Sequence, residues 1–285
     1  MTLERLSRAT DPRITDYRSV ADPELLRSRG LFVAEGRLVV RRVIEDGHYR
    51  IRSLLVNDAA RRDLDVVVEQ LDDVPIYVCE TSEFLQITGF NIHRGCLALV
   101  ERPPLTPLED VVSRASTIVV IDGVANADNV GGVFRNAAAF GADGVVLSPT
   151  TCDPFYRKAI RTSMGAVLRV PFARADEWPA AVSRVRAAGF TIVALTPREP
   201  SEPLDRFAAR PRPSKMALVV GSEGAGLSPS IEERADFRVR IPISDAVDSL
   251  NLGVAVGIAL YAVSANVRTS REPSPSTQPP KAHTN

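Results

Sequence analysis

The chain has 285 residues, 45% of them hydrophobic and 25% charged, which suffices for one large domain or two compact ones. Thirty-five Lys and Arg balance 35 Asp and Glu, and this zero net charge argues against a uniformly basic nucleic-acid-binding protein. Three scattered cysteines exclude a disulfide framework and predict no metal site. No signal core or membrane-length apolar stretch is present, so we expect a soluble, cytoplasmic protein.

The first hundred residues alternate helical and strand patterns. Apolar residues at helical spacing predict one helix from Phe32 to Asp46, which Gly47 ends as a left-handed cap. The later patterns predict strands over 50–56, 76–79 and 96–100 and helices over 59–71 and 81–88. This alternation predicts a small α/β domain.

A proline-rich segment, Arg102 to Pro107, is typical of a stiff linker. We therefore predict a first domain over 1–103, a linker over 104–116 and a second domain over 117–268. Residues 269–285 are rich in Ser, Pro and Thr without apolar periodicity, and they predict a disordered tail.

The second domain begins a new α/β alternation. Its predicted strands are 118–121, 145–147, 168–170, 191–195, 217–220 and 237–241, and its predicted helices lie near 130–140, 177–188 and 250–263. Near-continuous apolar strands separated by helices indicate a parallel sheet covered on both faces. In such sheets ligands bind beyond the carboxyl ends of the strands.

The first of three candidate segments runs from Asn129 to Arg135, after the first strand of this sheet. Asn129 is predicted to cap a helix that begins at Val130, with Arg135 almost two turns along it. Gly131 and Gly132 are costly in a helix and indicate that another element packs closely there. The alternative interpretation is a capped helix with a surface arginine.

The second segment is Gly221-Ser222-Glu223-Gly224-Ala225-Gly226, where the backbone can approach a ligand without side-chain obstruction. It lacks the ending of a phosphate loop and the GxGxxG spacing, so a tight strand-to-helix turn remains the alternative. The third segment is Ile241-Pro242-Ile243, followed by Ser249-Leu250-Asn251 at the start of an apolar helix. Its polar residues could also be helix caps.

Together and in this order, the three segments resemble the signature motifs of the SpoU (TrmH-type) family of SPOUT methyltransferases. The family pattern is N-x-G-x-x-x-R, then G-[SA]-E-G-x-G, then I-P-[MI] followed by S-L-N. Residues 1–103 also resemble the family's N-terminal substrate-binding domain, a small α/β RNA-binding domain similar to ribosomal proteins. Phe32-Val33-Ala34-Glu35-Gly36 is the segment that carries this second likeness.

The resemblance implies transfer of a methyl group from S-adenosyl-L-methionine to an RNA ribose 2′-hydroxyl, with ribosomal RNA as the expected substrate. It also implies a trefoil knot in the parallel sheet and a homodimer. The implied catalytic residues are Arg135, Asn129, Glu223, Ser249 and Asn251. The implied cofactor contacts are Gly221, Ile241, Ile243 and Leu250, and Thr196, after the 191–195 strand, is predicted as a further one.

A basic cluster after the second strand of the sheet, Arg157, Lys158 and Arg161, is predicted to bind RNA phosphates. Its alternative is a solvated helix face. Four N-terminal arginines are weaker candidates for the same role: Arg13, Arg18, Arg27 and Arg29. Two alternative functions remain open, a tRNA 2′-O-methyltransferase and an RNA-binding protein that has lost catalysis. A nucleotide-dependent dehydrogenase is disfavoured because the GxGxxG turn and its downstream acidic residue are missing.

Overall fold

The computed structural model describes residues 2–6, 8–18, 22–88 and 95–268. The predicted disordered tail, 269–285, lies outside these residues. The described residues form two sheets, one before and one after the proline-rich segment. None of the described helices combines the length and apolarity needed to cross a membrane.

The first sheet has five strands in the order β1-β4-β3-β5-β2, with both parallel and antiparallel pairs. Its strands are β1 (Thr2–Arg5), β2 (Leu31–Glu35), β3 (Ile51–Val56), β4 (Pro75–Val78) and β5 (Cys96–Glu101). Its helices are α1 (Asp22–Arg29), α2 (Arg37–Asp46), α3 (Asp58–Val68) and α4 (Thr81–Thr88).

The single helix predicted from Phe32 to Asp46 is wrong in its first part. Leu31–Glu35 is strand β2, antiparallel to β5, and only Arg37–Asp46 is helical. Phe32 and its apolar neighbours are buried in the sheet, so pairing with β5 overrides their helical spacing. Gly36, with φ 96°, separates strand from helix, and Gly47, with φ 63°, ends the helix as predicted.

The segment predicted as a linker, 104–116, contains a helix that the sequence reasoning missed. This helix, α5 (Leu108–Ser113), buries Leu108, Val111 and Val112. Its apolar side chains pack in the core beneath the second sheet. The proline-rich residues are therefore followed directly by a helix that belongs to the core of the second sheet.

The second sheet is parallel throughout, which confirms the predicted α/β class. Its strand order is β10-β12-β9-β11-β6-β7-β8. The strands are β6 (Thr117–Asp122), β7 (Gly144–Leu147), β8 (Phe172–Arg174), β9 (Thr191–Leu195), β10 (Glu202–Pro203), β11 (Met216–Gly221) and β12 (Phe237–Arg240). The helices are α6 (Ala127–Phe140), α7 (Arg157–Thr162), α8 (Ala180–Ala187), α9 (Leu204–Ala208), α10 (Pro229–Glu232) and α11 (Leu252–Arg268).

One strand of this sheet was predicted in the wrong place. Residues 168–170 do not form a strand; Ala166–Leu168 is a 3₁₀ turn, and β8 begins only at Phe172. Pro171 lies between them and restricts the residue before it. Val167 and Val170 are instead buried in the hydrophobic cluster that both sheets share, and Leu168 packs against it.

A junction of aromatic rings and ion pairs joins the two sheets. The rings of Phe32 and Phe155 stack with their centroids 4.7 Å apart. Asp46, at the end of α2, accepts hydrogen bonds of 2.7 and 2.8 Å from Arg169. One hydrophobic cluster runs from the first sheet through this junction into the second. The two units are therefore packed together, and the proline-rich segment does not hold them apart.

Candidate functional site

Four adjacent parallel strands bring the predicted motifs to one edge of the second sheet. In the order β12-β9-β11-β6, these strands all end at the same edge. Thr196 follows β9, Gly221 ends β11 and Ile241 follows β12. The motifs are thus neighbours in space although about 120 residues separate the first from the last.

The first motif occupies the opening turns of α6. Asn126, not Asn129 as predicted, caps this helix, because its side-chain oxygen accepts a 2.8 Å hydrogen bond from the Asp128 backbone N–H. Asn129 lies inside the first turn and is buried. A Cβ at Gly131 would lie 2.6 Å from the Ala159 carbonyl oxygen. The glycine therefore allows α6 and α7 to pack backbone to backbone, as its position in a helix predicted.

Asn251 joins all three motifs through its side-chain amide. Its Nδ2 donates to Asn129 Oδ1 at 3.0 Å and to Glu223 Oε1 at 3.1 Å. Its Oδ1 accepts a 3.3 Å hydrogen bond from the Val254 backbone N–H, and so caps α11. Glu223 also accepts from the Leu252 backbone N–H at 3.2 Å. Asn251 is thus both a helix cap and the centre of a polar cluster.

The glycine-rich loop after β11 is tightly folded at its base. A Cβ at Gly221 would overlap the backbone of Gly226 and Leu227 at separations well inside 3.0 Å, which real Cβ atoms do not reach. The next residue along, Ser228, is fixed by Asp122 at the end of β6. The Asp122 carboxylate accepts hydrogen bonds from the Ser228 backbone N–H at 2.9 Å and hydroxyl at 2.8 Å.

Arg198 holds the same loop from its outer side. Its guanidinium donates to the carbonyl oxygens of Ala225 at 2.5 Å and Leu227 at 3.1 Å. Glu232 lies 3.5 Å from this guanidinium and accepts a 2.9 Å hydrogen bond from the Thr196 hydroxyl. The side chain of Thr196, a predicted cofactor contact, is therefore engaged with buried Glu232.

The remaining predicted cofactor contacts lie on an irregular segment between β12 and α11. Ile241 and Leu250 are half-buried, whereas Ile243 is exposed. Residues 242–249 are all exposed, including Ser249. Ser249 makes no hydrogen bond with the other described residues, so the structure does not bring it into the Asn251 cluster.

Arg135 also stays outside that cluster. It lies six residues beyond Asn129, about 9 Å along the axis of α6, and its side chain is exposed. Among the described residues it has no ion pair or hydrogen bond. Arg135 is seven residues, about two turns, beyond Asp128, which contacts Lys158 and Thr162 of α7, so the two residues share one face of α6. Its guanidinium fork is therefore open to a ligand from solvent.

The predicted RNA-binding cations lie on α7, each beside a carboxylate. Lys158 is 2.7 Å from Asp128 and lowers the pKa of that carboxyl below its usual value. Arg157 and Arg161 both flank Glu35, the last residue of β2. The N-terminal candidates are less available, because Arg13 pairs with Asp11 and Glu4, Arg29 pairs with Asp16, and Arg18 binds backbone carbonyls. Arg27 is exposed.

The sequence reasoning missed three residues that organise this region: Asp122, Arg198 and Glu35. The sequence did indicate Asp122, because it ends an apolar strand directly before a glycine. Nothing comparable indicated Arg198, because its partner Ala225 is 27 residues away in the chain. Glu35 was noted only as part of the Phe32–Gly36 segment, and nothing there indicated its contact with Arg157, 122 residues away. Within the described ranges, no three His, Cys, Asp or Glu side chains converge as metal ligands.

The structure is an α/β protein with a glycine-rich loop and the hydrogen-bonded Asn251 at one edge of its parallel sheet. The SpoU rRNA Methylase family model matches residues 116–261. An uncharacterized tRNA/rRNA methyltransferase of Mycobacterium bovis is 36% identical over 260 residues, covering 88% of each chain. The chain therefore belongs to the SpoU rRNA methylase family, which confirms the predicted resemblance.

Two further relatives cover almost the whole chain. The 23S rRNA 2′-O-methyltransferase RlmP of Bacillus subtilis is 25% identical over 259 residues, 91% of this chain and 98% of RlmP. The AdoMet-bound rRNA methyltransferase from Sinorhizobium meliloti superposes with a TM-score of 0.80 at 26% identity. That match covers 93% of this chain and 98% of the other. The first sheet is therefore part of the likeness, together with the second.

Proposed function

We propose that this protein transfers a methyl group from S-adenosyl-L-methionine to a ribose 2′-hydroxyl of RNA, ribosomal RNA in particular, in the cytoplasm. The observation that carries the proposal is the Asn251 amide, which hydrogen-bonds to both Asn129 and Glu223 and so draws the three motifs into one cluster. Family membership and the likeness to RlmP support the reaction and the substrate class. The tRNA alternative rests on no feature of this chain.

The residues at the strand ends fit the proposed cofactor. Gly224 has a positive φ and open space where a side chain would lie, and residues 242–249 are exposed. Gly221, Ile241, Ile243 and Leu250 would hold the adenosine and methionine parts through their backbones, with Thr196 beside them. When bound, S-adenosyl-L-methionine supplies a sulfonium methyl that is already activated for in-line attack.

In this proposal Arg135 anchors the RNA. An arginine side chain keeps its proton in proteins, so it is a poor general base, whereas its fork can hold a hydroxyl and the adjacent phosphate together. Orientation of this kind lowers the barrier by roughly 7–11 kcal/mol. A general base typically contributes about 10²–10⁴ in rate, which corresponds to roughly 3–5 kcal/mol. The cluster of Asn129, Glu223 and Asn251 would fix the reacting groups, with exposed Ser249 closing over them.

We further propose that the active unit is a homodimer. Val254, Ile258 and Tyr261 form an exposed apolar stripe along α11, one turn apart. Size-exclusion chromatography with light scattering should give twice the chain mass, and Ile258→Asp should halve it. A monomeric wild-type protein would contradict the dimer.

The trefoil knot stays a proposal too. It is supported by the segment around Asn251, which returns late in the chain to contact the earlier helix α6. When the chain is stretched from its two ends, we expect its extended length to fall short of the full contour length, because a tightened knot remains.

The methyl transfer is tested with the purified chain, tritiated S-adenosyl-L-methionine and ribosomal RNA from cells that lack the gene. We expect label in the RNA at a position that resists alkaline cleavage, which marks a 2′-O-methyl group. Transfer RNA from the same cells is the second arm, and label there alone would favour the tRNA alternative. If S-adenosyl-L-methionine does not bind in calorimetry, the proposed function is wrong and the inactive RNA-binding alternative stands.

A further inference from the structure

Glu35, in the first sheet, faces the basic helix α7 of the second unit. Its side chain is only 10% exposed. Oε2 lies 3.5 Å from Arg157 Nε, and Oε1 lies 3.7 Å from Arg161 Nη1. The buried Oε2 accepts no hydrogen bond from any described residue. This carboxylate therefore contacts two cations across the junction without the close hydrogen bonds of a tight ion pair.

Three cations lie within five residues on α7, and carboxylates flank them on two sides. Arg157 and Arg161 share the Glu35 carboxylate, and Lys158 pairs with Asp128. Arg157 and Arg161 are four residues apart on the helix, so they repel each other unless an anion lies between them. Glu35 lies between them on the buried side, and the outer side is open because the Arg161 side chain is 54% exposed.

A buried carboxylate with an unsatisfied oxygen costs free energy, and its attraction to partly exposed guanidiniums recovers little of that cost. Glu35 is therefore poorly explained as a source of stability. Its geometry instead fixes where the two guanidiniums point. A ligand with a negative charge and several acceptor oxygens would accept hydrogen bonds from these guanidiniums on their outer side, and an RNA phosphodiester has that chemistry.

We propose that Arg157 and Arg161 bind one backbone phosphate of the RNA and that Glu35 is the positioning residue that orients them. This inference rests on the proposed function and deepens it. The phosphate site spans both units, since Glu35 comes from the first sheet and α7 packs against α6, which carries Arg135. RNA held at this phosphate site therefore lies at a fixed distance from Arg135.

Glu35→Gln separates positioning from charge alone. Charge alone predicts tighter RNA binding, because the change removes a negative charge. Positioning predicts weaker binding, by about fivefold near 0.1 M salt, since one lost phosphate contact reduces the slope of log K against log salt by about 0.7 for single strands. Fluorescence anisotropy of a labelled single-stranded RNA oligonucleotide, measured with the full chain across a KCl series, gives both the affinity for RNA and its salt slope.

Glu101→Gln is the matched control. Glu101 also lies between two arginines, 3.6 Å from Arg50 and 3.1 Å from Arg52, but at the end of β5 and away from α7. We expect it to keep the wild-type salt slope. Glu35→Gln combined with Arg161→Gln should bind RNA no more weakly than Arg161→Gln alone, because both changes remove the same contact. Additive losses, or wild-type or tighter binding by Glu35→Gln, would overturn the proposal.

Two further measurements keep this test separate from the methyltransferase assay. Glu35→Gln should bind S-adenosyl-L-methionine with the wild-type affinity and turn over at the wild-type kcat with a raised KM for RNA. If Glu35→Gln does not fold, Arg161→Gln carries the test, and a wild-type salt slope in that variant overturns the proposal. Absence of methyl transfer by the wild-type chain would refute the proposed function, whereas the RNA-binding slopes would still decide the role of Glu35.

Discussion

Gly221→Ala tests whether the compressed base of the glycine-rich loop sets the affinity for S-adenosyl-L-methionine. The new methyl group would overlap backbone atoms of Gly226 and Leu227, which cannot rotate away as a side chain could. The loop must therefore shift, and overpacking of this kind costs about 1–3 kcal/mol. Because the loop is exposed, the free protein relieves most of that strain by moving it.

Binding requires the original loop, so the strain returns in the complex. Backbone overlap of this size belongs in the upper part of that range, about 2–3 kcal/mol, and the free protein retains roughly 1 kcal/mol of it. At 1.4 kcal/mol for each factor of ten, we therefore expect Kd for S-adenosyl-L-methionine to rise about 5- to 30-fold by calorimetry. The melting temperature should fall by only about 2–4 °C, since relaxation leaves roughly 1 kcal/mol in the free protein.

Gly141→Ala is the control for this experiment. Gly141 ends α6 with φ 73° and has open space around it, so alanine there strains the backbone without touching the loop. It should lower the melting temperature by a similar amount and leave Kd unchanged. A wild-type Kd for Gly221→Ala would refute the reasoning, because the loop would then have no part in binding the cofactor.

Three further predictions concern arginines. Arg135→Lys should reduce kcat by about 100-fold with an unchanged Kd for S-adenosyl-L-methionine, because lysine lacks the fork that orients the RNA; near-normal turnover would exclude that role. Arg198→Met should raise the Kd about tenfold, since it releases the Ala225 carbonyl, and equal affinity would mean that the loop holds its shape unaided. Hydrogen bonds from Arg169 lower the pKa of Asp46, so the pair stabilises the fold above about pH 4 and loses that effect as the pH falls through the lowered value. Arg169→Gln should therefore lower the free energy of unfolding at pH 7 by less than about 1 kcal/mol, and by progressively less as the pH falls below about 4; a loss that does not change with pH would contradict this.

The sequence predicted the site better than it predicted the elements around it. Parallel strands place the residues that follow them at one edge, so Asn129, Gly221 and Asn251 could be expected to meet from their order alone. Which asparagine caps the helix α6 was less predictable. Asn129 was expected to cap α6, but Asn126, three residues earlier, does so, because the helix starts one turn sooner.

The errors share a physical cause, which is that tertiary partners decide structure where local patterns are ambiguous. Phe32 has apolar neighbours at helical spacing, yet pairing of its segment with β5 makes it a strand. Glu35 lies in the segment that carries the likeness to the family's N-terminal domain. Its contact with α7 was not predictable, because a glutamate at the end of a strand is ordinary until a helix covers it. Contacts of this kind are set by the packing of the two sheets, which no local pattern encodes.

The strand order has a consequence for how the chain is made. β6 is buried along its whole length, yet one of its two neighbours is β11, paired from Thr117 to Met216 and so about 100 residues later in synthesis. At about 5–20 residues per second, β6 waits roughly 5–20 s for that partner. During this interval the first sheet can close while an apolar strand edge of the second stays open. The nascent chain therefore passes through a stage that is prone to aggregation, and the cell must protect it until residues 216–221 emerge.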